Sequence, residues 1–324
     1  MAMRVALTQS LAIVAAALLC GCAARSDATG RAPRPRATAE LSPDTRASAT
    51  ALSDYMAKVR HLSANAQAAP TSSVRETLEI RDADLAADLL RLSQAPAAAT
   101  HRAVAERYRV RGVLDAAYRH YNAAVKLDAR DAAGYEGLAR VWRDWGLPQL
   151  ALGDAHRAVF FAPASAAAHN TLGTVMQALG RHEDARAAYE LATALDAQAS
   201  YAFNNLCYLS FLDGGTEGAI VACRRALSLD PTLTAARNNL ALAYAASGRM
   251  DLAQTEFIDA NDAGRGLYNV GITHLASGNY AAAVAAFDAA SRANPLLAIA
   301  RERASQIRSQ LQATRTGYAG PQEP

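Results

Sequence analysis

Three kinds of residue in this chain are equipped for chemistry: seven histidines, four cysteines and a set of paired asparagines. The histidines, at 61, 101, 120, 156, 169, 182 and 274, form no HExxH pair and do not join cysteines at metal-ligand spacing, so no metal site is expected. No nucleophile elbow, phosphate-binding loop or glycine-rich dinucleotide turn occurs either. Catalysis would need carboxylates brought together from distant segments, and the chain is read as a non-enzyme without a cofactor. Cys207 and Cys223 have two readings: a pair of buried small side chains, or a disulfide, which needs Cα atoms within about 7 Å. The asparagines come in matched pairs, Asn204-Asn205 and Asn238-Asn239, each followed by Leu and, eight residues after that Leu, by Gly.

That match belongs to a period of 34. Gly112, Gly146, Gly180, Gly214 and Gly248 keep the spacing throughout, with Ala five residues after each and again twelve after. Nine after lie Tyr121, Ala155, Tyr189, Cys223 and Phe257, and eight before lie Val104, Leu138, Leu172, Leu206 and Leu240. Glycine allows the backbone to turn sharply between two helices, and small alanines let paired helices approach. Composition agrees: the chain is 51% hydrophobic with only 6% aromatic residues, and its abundant Ala favours close-packed helices over strands. The net charge of +3 is not gathered into a basic stripe, so nucleic-acid binding has no electrostatic basis.

The slots resemble those of the tetratricopeptide repeat, in which Leu, a small residue, Gly, Ala, an aromatic, Ala and Pro recur in this order. The resemblance implies an all-α, right-handed superhelical solenoid of antiparallel helix pairs, with six repeats over 98–295. Pro163, Pro231 and Pro295 would stop second helices. The sixth repeat, around Gly278, comes four residues early, and the deficit falls in the turn-forming run ANDAGRG. Residues 49–97 read as a helical cap or degenerate repeat, with Ala83, Ala87 and Leu90 in second-helix slots. Residues 296–315 read as an amphipathic capping helix and 316–324 as a tail.

In this family the first helices line a concave groove that binds polypeptides. Carried over, the lining is Arg102, Glu106, Arg109, Glu136, Arg140 and Arg143, then Asn170, Thr174 and Gln177. It continues with Tyr201, Asn204, Tyr208 and Phe211, then Asn238, Leu242, Tyr268, Ile272 and Leu275. The resemblance implies ligand contact by the row Asn170, Asn204 and Asn238, and a partner's apolar segment against the C-terminal half. The lysines and arginines of a carboxylate clamp are missing.

The N-terminus is a second resemblance. Arg4, the apolar run Ser10–Leu19 and then Leu19-Cys20-Gly21-Cys22 are similar to a bacterial lipoprotein signal. Residues 1–21 would be removed and Cys22 lipidated, with 22–48 a low-complexity tether. The absence of Asp after Cys22 implies the periplasmic side of the outer membrane. The combination resembles lipoproteins of the TadD type from tight-adherence (Flp) pilus loci. The partner then expected is a pilus component or secretin; an adaptor for peptidoglycan hydrolases has the same architecture.

Overall fold

The structure, a computed structural model, describes residues 82–317, with side chains through 313. The signal segment, Cys22, the tether, residues 49–81 and the stretch 318–324 lie outside the described residues. Those described hold fourteen helices and no strand, in two compact units, 82–197 and 198–317. The first unit contains α1 (Ala83–Gln94), α2 (Ala98–Val110), α3 (Leu114–Leu127), α4 (Ala132–Asp144), α5 (Pro148–Phe161), α6 (Ala166–Ala178) and α7 (His182–Leu195). The second contains α8 (Ser200–Leu212), α9 (Thr216–Leu229), α10 (Thr234–Ala246), α11 (Met250–Ala260), α12 (Ala263–Ala276), α13 (Tyr280–Ala293) and α14 (Ala298–Gly317).

Each pair turns on one of the spaced glycines. Gly112, Gly146, Gly180, Gly214, Gly248 and Gly278 all have φ between 73° and 82°. At Gly180 the peptide N–H donates to Gln177 O at 2.9 Å, and the next N–H, of Arg181, donates to Met176 O at 2.9 Å. This is a Schellman closure: it satisfies the last carbonyls of the first helix and reverses the chain within two residues. A Cβ at Gly180 would meet nothing within 4 Å, so glycine is required there by conformation alone.

Inside the pairs, Ala117, Ala151, Ala185, Ala219, Ala253 and Ala283 are fully buried. The Ala185 carbonyl oxygen comes within 3.2 Å of the place a Cβ on Gly173 would occupy, so α6 and α7 run almost backbone to backbone. Replacing Ala185 by Leu should force them apart and cost about 1–3 kcal/mol. Chemical denaturation would show this; an unchanged midpoint would mean that α6 and α7 can separate without loss.

One contact recurs between residues 16 apart, the spacing of Cys207 and Cys223. A small residue on the first helix faces a larger one on the second: Ala105 with Tyr121, Gly173 with Tyr189, Ala241 with Phe257, Gly271 with Phe287, all buried. A Cβ added at Gly173 would lie 2.6 Å from the Tyr189 ring. In the second pair both partners are alanines, Ala139 and Ala155, and Trp142 and Val175 join them in one cluster. In the fourth the partners are Cys207 and Cys223, which form a disulfide with Cα atoms 5.1 Å apart.

Two sequence expectations are corrected. Ala83, Ala87 and Leu90 are exposed; Leu85 is buried, and Leu89 and Leu92 pack on the same cluster. The half repeat is therefore displaced by two residues from the expected register. In ANDAGRG, only Asn261 and Asp262 form a turn. Asp262 caps α12 by accepting from Arg265 N–H at 3.0 Å, and Gly264 and Gly266 belong to that helix. Gly266 is needed for contact: a Cβ there would sit 2.7 Å from Ile258 Cα on α11.

Candidate functional site

Within each unit α2, α4 and α8 are each covered on one side by their own second helix and on another by the next first helix, so only a narrow strip stays open. On α8 that strip carries Tyr201, 39% exposed, with half-buried Asn204 and Tyr208; on α10 it carries half-buried Asn238. Phe211 and Leu242, expected in the lining, are 1% exposed. Both are core residues: they pack in the cluster of Cys207, Ala219, Cys223 and Leu240, on the covered flank of the same helices. Tyr268, Ile272 and Leu275 are half-buried against a cluster that includes Ala304 and Ile307 of α14. The chain's own last helix thus occupies the apolar stretch on which a partner was expected.

The asparagines divide into two roles. Asn239, 2% exposed, donates through Nδ2 to Asn204 Oδ1 at 2.9 Å. Asn261, at the end of α11, donates through Nδ2 to Asn238 Oδ1 at 3.0 Å and to Phe257 O at 3.0 Å. Each outer carboxamide has its oxygen engaged by an inner one. The Nδ2 hydrogens of Asn204 and Asn238 have no partner among the described residues, so both side chains are set as donors. Sequence spacing placed Asn204 and Asn238 on one row and Asn239 in the adjoining one, but gave no sign of Asn261, which lies in a turn.

In the first unit the expected charged lining pairs with itself. Arg109 makes a fork to Glu106 at 2.7 and 2.9 Å and reaches Asp144 at 2.8 Å. Tyr121 donates to Glu106 at 2.6 Å, and Arg140 meets Glu136 at 3.1 Å. Arg143 donates to Thr174 Oγ1 and to Asp144, both at 2.8 Å, and Arg102 to Asp131 at 2.6 Å. Gln177 accepts from Tyr189 at 2.9 Å, and Asn170 is half-buried on α6. Four arginines and four carboxylates close this network, leaving no net charge to attract an ionic partner.

The network has a pH signature. The Arg109 guanidinium, helped by the Tyr121 hydroxyl, holds Glu106 down to about 2, from an ordinary 4.5. Because the folded value is the lower one, Glu106 stabilises the fold above about 4.5, and the contribution is lost as pH falls toward 2. Acidification across that window should lower the melting temperature of the wild type more than that of Glu106→Gln. Parallel decline of the two would show that the carboxylate does not carry the network.

Among the described residues no group of three or more His, Cys, Asp or Glu is placed to hold a metal, and no helix is long and apolar enough to cross a membrane. His169 is buried with Nε2 2.9 Å from Pro163 O, an anchor to the preceding loop. His274 is half-buried, and burial lowers its pKa. His101 and His120 meet at 3.1 Å between their Nδ1 atoms, a pairing that no motif announced.

Helix pairs closed by glycine turns, small-on-large contacts within the pairs and a donor-bearing strip on the first helices define an all-α repeat fold of the tetratricopeptide kind. A tetratricopeptide repeat profile matches residues 166–198, the pair α6–α7. Solved structures show the same fold. PilW, described as a widely conserved type IV pilus biogenesis factor, aligns with TM-score 0.53 and 20% identity over 62% of this chain and 94% of its own. A tetratricopeptide repeat protein from Parabacteroides merdae ATCC 43184 gives 0.51 and 16% over 72% and 96%. The APC/C hetero-tetramer Cut9-Hcn1 gives 0.57 and 18% over 68% of this chain, which spans 45% of that one. No curated protein matches the sequence.

Proposed function

We propose that the protein is a lipid-anchored periplasmic scaffold, held at the outer membrane by acyl chains on Cys22, that binds a partner polypeptide during envelope assembly. The machine assembled is a tight-adherence pilus or its secretin. The observation that carries the binding role is the strip on α8 and α10, where Asn204 and Asn238 are fixed as donors beside Tyr201 and Tyr208. An extended chain offers a carbonyl acceptor at every residue and apolar side chains between them, which suits such a strip. The Cys207–Cys223 disulfide supports an oxidising compartment, since such bonds persist outside the cytosol. PilW's description as a pilus biogenesis factor is in keeping with the proposed process.

A photo-crosslinking amino acid at position 208 of the full-length chain, used in intact cells, should give an adduct with a secretin or pilus component. The same residue at position 160, exposed on α5, should not. An adduct with a peptidoglycan hydrolase would replace the pilus role with that of a hydrolase adaptor. Cys22→Ser should abolish incorporation of labelled palmitate and release the protein from membranes; retention of label would remove the anchor at that residue.

A further inference from the structure

We propose that the helix pair α8–α9 is completed by oxidation: it closes fully only once an external disulfide, that of a dithiol–disulfide oxidoreductase or of glutathione, has oxidised its two cysteines. The 16-residue contact holds a buried aromatic ring in four of the six pairs, through Tyr121, Tyr189, Phe257 and Phe287, and is supplemented by Trp142 in another. In α8–α9 the same two places hold Cys207 and Cys223, joined by a disulfide. Two thiols supply far less buried area than a ring against a small residue, and the covalent bond stands in for it.

Both cysteines are fully buried, so the bond must form before α8 and α9 close. The thiolate of one cysteine attacks the external disulfide, giving a mixed disulfide and freeing one thiol of the oxidant. The second thiolate then displaces the oxidant's other sulfur. The chain loses two electrons and two protons, and the oxidant's disulfide leaves as two thiols. Closure therefore follows transfer into an oxidising compartment. The strip bearing Tyr201, Asn204 and Tyr208 lies on α8, so its geometry becomes conditional on that step; this consequence rests on the binding role proposed above, whereas the experiment reads the helix pair itself.

Full-length protein is refolded from denaturant with a glutathione redox couple or with excess reductant, and amide exchange is followed by mass spectrometry. In the oxidised sample the tryptic peptide 187–224, which contains both cysteines, should be lighter by two hydrogens. Reduction should speed exchange in α8 and α9 on the order of 100-fold and leave α2–α7 unchanged. Cys207→Ala with Cys223→Phe restores a small-on-aromatic contact and should make exchange indifferent to reductant. Should that variant not fold, Cys207→Ala with Cys223→Ala should exchange fast under both conditions. Equal protection of α8 and α9 in oxidised and reduced wild type, or an oxidised peptide of unchanged mass, would overturn the proposal.

Discussion

Phe287→Ala is expected to lower stability by about 3–5 kcal/mol, the cost of emptying a large aromatic site that cannot collapse. The ring is fully buried against Gly271 of α12, where a Cβ would lie 2.7 Å away, and against Ala283, Ala304 and Ile307. It is thus shared by α12, α13 and α14. These neighbours are mostly small, so they cannot expand into the void, and Tyr268, with its ring centre 5.3 Å away, would lose its main support. A last pair has one repeat neighbour instead of two, so the loss should stay local. Urea denaturation followed by helicity should then show an early partial transition, with exchange in α12–α14 accelerating before that in α8–α10. A single transition displaced by less than about 1 kcal/mol would mean that the capping helix holds the end without this ring.

The turn glycines were legible in the sequence because their requirement is local: a left-handed backbone conformation after a helix has one cheap solution, and it recurs at fixed spacing. The buried alanines were legible because they too recur at a fixed spacing from those glycines, although their burial is set by the partner helix. Features set only by contacts across helices were not. Periodicity puts Tyr201, Asn204, Tyr208 and Phe211 on one helical stripe, but whether a stripe is open depends on the next first helix, which covers Phe211 and leaves Tyr201 out. The apolar row of α12 read as a surface until α14 folded onto it. In ANDAGRG, glycines that suggest a flexible turn serve instead to bring α12 onto the α11 backbone, because glycine marks both tight turns and tight contacts. Cysteine spacing allowed two readings of Cys207 and Cys223, since sequence separation does not give a Cα distance.

The inner amides decide how the strip should be tested. Alanine at 204 would remove the outward donor but would also strand the Nδ2 group of buried Asn239, whose own Oδ1 is already buried and unpaired. Lost binding and lost stability would then be mixed, because an orphaned buried donor costs about 1–3 kcal/mol. Aspartate separates them. Asn204→Asp keeps an oxygen for Asn239, and Asn238→Asp keeps one for Asn261, while each outward NH₂ becomes an oxygen. The double variant should melt within about 2 °C of the wild type, since its internal hydrogen bonds survive. It should bind the polypeptide captured at position 208 roughly 100-fold more weakly, about 3 kcal/mol, because two donors are lost and two carboxylates now face carbonyl oxygens. Isothermal titration with that polypeptide gives the number. Undiminished affinity would show that the partner does not read these donors, and matched losses of melting temperature and affinity would show that Asn204 and Asn238 serve only the packing.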